Sequence, residues 1–305
     1  TYRRKLHRFL AREAQDPSRD PNYIWELNEN KNEELIETES FRLNRITNIK
    51  ADRRLIVASY NVRSMISAGK REMLELWAKK NNIDIILLQE TRVNQAGIEK
   101  RKHYTIFFSE SVEAEGTTTY AGVAIMIKNS MLDSVLEINP IDERLMSITL
   151  RGPVNTTFIN TYMYTAKDTE KNIKRYSQLS EHYRKYKKYG PTFIGGDMNA
   201  RITNELDNDG SRISGKYCFD KEHEDTTLEE DMISNRDLLI DFCTKEEMII
   251  SNTFFEKPNN KLCTYKGPRD RQKQERESGS IVTPHRHDRY NYYDTKDYWL
   301  TMNRW

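Results

Sequence analysis

Few aliphatic residues lie between Asn28 and Ser40, and from Leu55 apolar residues gather into short runs separated by polar stretches. The first run, Leu55-Ile56-Val57-Ala58-Ser59-Tyr60-Asn61-Val62, reads as a buried strand. Within 69–81, Met73, Leu74, Leu76 and Trp77 recur at near-helical spacing, and Ile83–Gln89 is a second apolar run. The pattern predicts strand, helix, strand, a βαβ-like opening to an α/β fold. Further strands are predicted at 104–109, 120–128, 145–150, 157–163 and 191–196, with a helix over 169–188. Asn235–Glu247 reads as a helix with Asn235 as a candidate cap and Leu238, Leu239, Ile240, Phe242 and Cys243 turned inward. Met248–Asn252, Leu262–Lys266 and 297–300 read as closing strands, whereas 201–234 and 266–292 are polar and loop-like.

Composition adds a boundary and several exclusions. Residues 1–53 carry a basic start (Arg3, Arg4, Lys5, Arg8, Arg12) and then a polar stretch from Asn28 to Ser40. This predicts a helical or partly disordered N-terminal extension outside the main core, with one large domain over 54–305. No run approaches the length of a membrane span, so no membrane partner is expected. The three cysteines, Cys218, Cys243 and Cys263, are odd in number and lack zinc-site spacing. That favours a reducing, intracellular compartment, and a nuclear location is expected. The net charge of +2 conceals local segregation. Helix 169–188 interleaves Lys and Arg with Tyr176, Tyr183, Tyr186 and Tyr189, which suits either a phosphate backbone or an ordinary amphipathic face. Lys266, Arg269, Arg271 and Lys273 follow in quick succession and are the better candidates for nucleic-acid contact.

The chemistry is concentrated at strand ends. Thr192-Phe193-Ile194-Gly195-Gly196 runs into Asp197-Met198-Asn199, and residues two apart on a strand point the same way. Asn61 closes the first strand and Glu90 the second, so three predicted strands end in a hard oxygen donor. Such donors suit Mg²⁺ or Mn²⁺. Singly, each residue could be turn chemistry or a solvated strand end; recurrence at three strand ends favours a site.

Ser59-Tyr60-Asn61-Val62, Leu88-Gln89-Glu90-Thr91, Asn160-Thr161-Tyr162, Gly196-Asp197-Met198-Asn199-Ala200 and Asp297-Tyr298 resemble, in order, the signatures of the endonuclease/exonuclease/phosphatase superfamily. Asn235-Arg236-Asp237-Leu238-Leu239, Ser251-Asn252-Thr253-Phe254-Phe255 and Gly215-Lys216-Tyr217-Cys218 resemble in particular the apurinic-type endonuclease domains of non-LTR retrotransposons and the related craniofacial development protein 2 group. The resemblance implies a DNase-like four-layer sandwich of two mixed β-sheets flanked by helices. It also implies metal-dependent phosphodiester hydrolysis, with the chain as a DNA-nicking endonuclease of retrotransposon origin, fused to a reverse transcriptase in a longer polypeptide. A catalytically impaired nucleic-acid-binding remnant, an RNA substrate, or a phosphatase acting on another phosphoester are the alternatives.

Residue by residue, the resemblance assigns Asn61 and Glu90 to the metal and Tyr162 to a hydrogen bond with the scissile phosphate. Asp197 would orient or deprotonate the attacking water, Asn199 would help stabilise the pentacovalent transition state, and Asp297 would support a catalytic histidine or sit near the metal. That histidine belongs to a Ser-Asp-His element expected beyond Trp305, so the chain is expected to be incomplete at its C-terminus. His223, His285 and His287 are not expected to replace it. Arg63 stands where some relatives carry a second acidic ligand, and Tyr164 where they often have proline.

Overall fold

A computed structural model of the protein describes residues 55–93, 96–109, 121–200, 202, 213–218 and 235–256, with the backbone of 279–284, 290–295 and 299–304. The N-terminal extension, Lys266, Arg269, Arg271, Lys273, Asp297, the predicted strand Leu262–Lys266, and His223, His285 and His287 lie outside the described residues.

Two sheets form the centre. The first runs β12-β13-β1-β2-β5-β4-β3, from β1 (Leu55–Asn61), β2 (Ile85–Gln89), β3 (Gly97–Lys100), β4 (Tyr104–Phe108), β5 (Val123–Lys128), β12 (Tyr290–Thr295) and β13 (Trp299–Arg304). The second runs β10-β11-β9-β8-β7-β6, from β6 (Val135–Asp142), β7 (Leu145–Leu150), β8 (Thr156–Tyr162), β9 (Thr192–Asp197), β10 (Met248–Ile250) and β11 (Gly279–Pro284). Each sheet is mixed because it contains one parallel pair, β1 with β2 and β8 with β9. A parallel pair needs a crossover, and here the crossovers contain the helices α1 (Ala68–Lys80) and α2 (Thr169–Lys187).

Alternation along the strands divides the core into three layers. Val57, Leu87, Ile125, Ile148, Phe158 and Phe193 meet between the sheets. Ala58, Ile86 and Leu88 face Leu74 and Ala78 of α1 on one outer side. Ile159 and Ile194 face Tyr176, Leu179 and Tyr183 of α2 and Phe242 of α3 (Asn235–Glu246) on the other. The result is two mixed sheets flanked by helices, as the resemblance implied.

The differences from the sequence expectation have local causes. Strands β3, β6 and β12 close sheet edges, where pairing on one side suffices and apolar runs are short. Pro140 sits in edge strand β6, next to a register irregularity between Pro140 and Asp142. Strands β11 and β12 emerge from a stretch too polar to read as strand. In α1 only Leu74, Glu75 and Ala78 are buried, while Met73 and Leu76 are exposed and Trp77 packs beside the Tyr60 ring. The helix touches its sheet along a narrow stripe.

Candidate active site

The two parallel pairs end at matching levels. Asn61 is opposite Gln89 at the carboxyl end of β1–β2, and Tyr162 is opposite Asp197 at the carboxyl end of β8–β9. Two features bring the sheets together here. Gly195 leaves room for Leu87, whose Cδ1 would lie 2.6 Å from a Cβ at that position. Asn160, fully buried, donates through Nδ2 to Leu88 O and Ala124 O at 2.9 Å each and accepts at Oδ1 from Gln89 Nε2 at 2.7 Å. This amide pair fastens β8 to β2 and β5 just beneath the strand ends.

Four of the expected site residues converge above it. Asn61 Nδ2 donates to Glu90 Oε1 and to Asp197 Oδ2, both at 2.8 Å. The Tyr162 hydroxyl donates to the same Glu90 Oε1 at 3.0 Å. Asp197 is buried, and its Oδ1 accepts from the Asn199 backbone N–H at 3.0 Å. Asn199 lies beside them, with its side-chain Nδ2 donating to Met163 O at 2.8 Å.

Left-handed backbone collects at the same place. Arg63, Ser64, Glu90, Arg92 and Asn199 have φ of 48°, 99°, 53°, 56° and 45°. Each costs on the order of 1 kcal/mol or more, and such residues persist where the surroundings over-determine them. Here the loops after β1 and β2 are zipped together: Ser64 N–H donates to Glu90 O at 2.6 Å and Met65 N–H to Thr91 O at 2.7 Å. Asn61 Oδ1 accepts from the Arg63 N–H at 3.1 Å, which sets the amide with its nitrogen toward the carboxylates.

Burial is the first cause that holds the Tyr162 phenol well above its ordinary pKa, and the Glu90 and Asp197 carboxylates add to it. The hydroxyl is therefore a proton-bearing donor across the physiological range. Glu90 also pairs with Arg92 at 3.3 Å, a partner that sequence reasoning did not find although it stands two residues away. Glu90 and Asp197 bring hard carboxylate oxygens to one spot, a donor type that suits a divalent cation with retained waters, and turning the Asn61 amide over would add its Oδ1 to them. Among the described residues no group of three His, Cys, Asp or Glu side chains is placed to hold a metal.

Further polar residues support the loops. Asn235 is not a cap; its Nδ2 donates to Tyr164 O at 2.8 Å and Asn199 O at 2.9 Å, and its Oδ1 accepts from Asn172 Nδ2 at 2.8 Å. Asn172 in turn holds the Tyr164 N–H at 2.9 Å. A buried Asn in a predicted helix is the signal that could have revealed both. The tyrosines of α2, Tyr176, Tyr183 and Tyr186, are buried, while Tyr189 just past its end is exposed, and four of its cations are paired: Arg175 with Asp142, Arg184 and Lys187 with Glu246, Lys171 with Asp168. The helix is amphipathic, with Tyr176, Tyr183 and Tyr186 on its buried face and Lys171, Lys174, Arg184, Lys185 and Lys187 on its exposed one.

Residues 58–303 match the Endonuclease/Exonuclease/phosphatase family. Craniofacial development protein 2 of Bos taurus is 25% identical over 215 residues, covering 70% of this chain and 33% of that protein. The chain thus spans about a third of the length of that relative. Among solved structures, an AP endonuclease from Leishmania major superposes with a TM-score of 0.59 at 14% identity, over 94% of this chain and 99% of that one. A 3′ phosphatase from Neisseria, bound to a product DNA hairpin, gives 0.54 at 16% identity, over 82% and 99%. At these identities the superpositions speak to the fold.

Proposed function

The chain belongs to the endonuclease/exonuclease/phosphatase family, and from that premise we propose that it is a divalent-metal-dependent phosphodiesterase that nicks DNA, of retrotransposon descent and acting in the nucleus. The observation that carries the reading is the single amide of Asn61 bridging Glu90 of one sheet and Asp197 of the other, with the Tyr162 hydroxyl on the same carboxylate. Glu90 and, with its amide turned over, Asn61 through Oδ1 would hold Mg²⁺ or Mn²⁺, which when bound polarises a phosphoryl oxygen and neutralises developing charge.

The chain's own residues take the remaining roles. Asp197 orients the attacking water and accepts its proton as the water oxygen bonds to phosphorus. The phosphorus–oxygen bond to the leaving sugar then breaks, that oxygen takes up a proton from solvent water, and Asp197 returns its proton to solvent. Tyr162, kept protonated, donates to a non-bridging phosphate oxygen. Asn199 has two amide hydrogens, one spent on Met163 O, and the other serves the transition state. Lys266, Arg269, Arg271 and Lys273 would contact flanking phosphates, and Asp297 would stand near the reaction centre.

The test is nicking of supercoiled plasmid in Mg²⁺ by wild type, Glu90→Ala and Asp197→Ala. Loss of nicking in both variants is expected; equal nicking by all three would overturn the site. Abasic DNA, poly(A) and inositol phosphates presented in parallel separate DNA cleavage from other phosphoester chemistry.

A further inference from the structure

Arg144 lies in the turn between β6 and β7, and its side chain is 14% exposed. Its guanidinium carbon is 4.5 Å from the Tyr162 ring centre and 4.1 Å from the Tyr164 ring centre. Nη1 reaches both Tyr162 O and Met163 O at 3.4 Å, and the Tyr162 N–H donates to Arg144 O at 2.8 Å. The carboxylate it pairs with, Glu143, is distant at 3.9 Å. For so buried a cation, the ring faces and carbonyls are the main compensation.

Both ends of this arrangement are anchored. The Arg144 N–H donates to Asp142 Oδ1 at 2.8 Å, while Asp142 Oδ2 holds Arg175 at 2.6 Å. Tyr164, the residue that departs from the family's proline, has its backbone N–H and carbonyl bound by Asn172 and Asn235. Tyr162 itself is packed into the core between the sheets.

We propose that Arg144 is a positioning residue: clamped between the Tyr162 and Tyr164 rings, it fixes the ring whose hydroxyl meets Glu90. The proposal rests on the phosphodiesterase reading for its kinetic consequence and on geometry alone for its structural one. A planar guanidinium can cover two ring faces and reach two carbonyls at once, which a lysine ammonium cannot. Misplacing a reacting group by about an ångström costs up to about a hundredfold in rate.

The experiment is a double-mutant cycle with a spectroscopic arm. Arg144→Gln is expected to lower kcat about tenfold to a hundredfold with KM little changed, and Arg144→Lys is expected not to restore it. Added to Tyr162→Phe, the same change is expected to cost less than about threefold further, because both act through one hydroxyl. Losses that multiply in full would overturn the proposal. In protein labelled with 3-fluorotyrosine, the Tyr162 signal, assigned by its absence in Tyr162→Phe, should shift and broaden in Arg144→Gln; an unmoved signal would likewise overturn it. Should Arg144→Gln fail to fold, Tyr164→Leu removes one side of the clamp with the arginine kept, and the same signal must respond. A wild type that nicks nothing refutes the phosphodiesterase reading, and the fluorine signal still decides the role of Arg144.

Discussion

Asn61 donates to Asp197 at 2.8 Å, a bond that joins two sheets and residues 136 positions apart. Because the same nitrogen also serves Glu90 at 2.8 Å, one neutral donor stands where two carboxylates meet. Like charges brought together in partial burial repel, and a shared donor or a cation offsets that repulsion.

Replacing that donor by a third carboxylate makes the balance measurable. Asn61→Asp is expected to lower stability by about 1–3 kcal/mol in the presence of EDTA. Mg²⁺ should then raise its unfolding temperature more than it raises that of wild type. Thermal unfolding with and without the ion checks this; equal responses would count against a carboxylate cradle for metal.

Beneath the site, Asn160→Leu should be among the more damaging single changes. It takes the amide donor from the buried Leu88 and Ala124 carbonyls and removes one acceptor of Gln89 Nε2, which keeps Leu87 O at 2.9 Å. The expected loss is about 2–4 kcal/mol by urea unfolding. A loss under about 0.5 kcal/mol, the usual range of a surface change, would show that the amide pair does not clamp the sheets.

The two glycines of β9 should differ. At Gly195 a methyl meets Leu87 Cδ1, the end of a flexible side chain, and Gly195→Ala is expected to cost about 1–3 kcal/mol. At Gly196 it meets the Thr161 carbonyl, which is paired backbone and cannot yield without moving β8. Gly196→Ala should therefore cost more and also displace Asp197. Urea midpoints in the reverse order would refute this account.

His182 predicts the pH response of the fold. Burial, with Lys185 nearby, lowers its pKa to about 4. It is held neutral beside Ser147 Oγ at 3.0 Å. The unfolded chain, with a pKa near 6.5, binds the proton first. Its contribution is therefore present in full above about pH 6.5 and is lost progressively as pH falls toward 4. The loss amounts to about 3 kcal/mol at most. Chemical unfolding at pH 7.5 and pH 5 should show a smaller drop for His182→Gln than for wild type; identical drops would assign the acid sensitivity elsewhere.

Much of the architecture was readable in the chain itself. Apolar runs and helical spacing located β1, β2, β4, β5, β7, β8 and β9 and the helices α1, α2 and α3 to within a few residues. This works because a strand buried on both faces leaves a continuous apolar run. The edge strands β3, β6 and β12 have short or polar runs and went unseen, whereas the edge strand β10 is apolar and was read, and the inner β11 was hidden in polar surroundings. Helix α1 was over-read: Met73, Leu76 and Trp77 fit the helical period but face outward, since periodicity does not say how wide the buried stripe is.

At the site, local pattern picked out Asn61, Glu90 and Asp197, because oxygen donors at the ends of apolar runs stand out; Tyr162 and Asn199 took their expected roles from the motif resemblance. What no local pattern contains is which of these donors share a partner. That Asn61 bridges Glu90 and Asp197, that Asn160 locks the sheets below them and that Arg144 sits between Tyr162 and Tyr164 all depend on contacts between distant segments. Such contacts are set by how the two sheets pack face to face. Local pattern specified most of the inner strands and the oxygen donors at the ends of β1, β2 and β9; the packing of one sheet on the other decided that those ends form a single site.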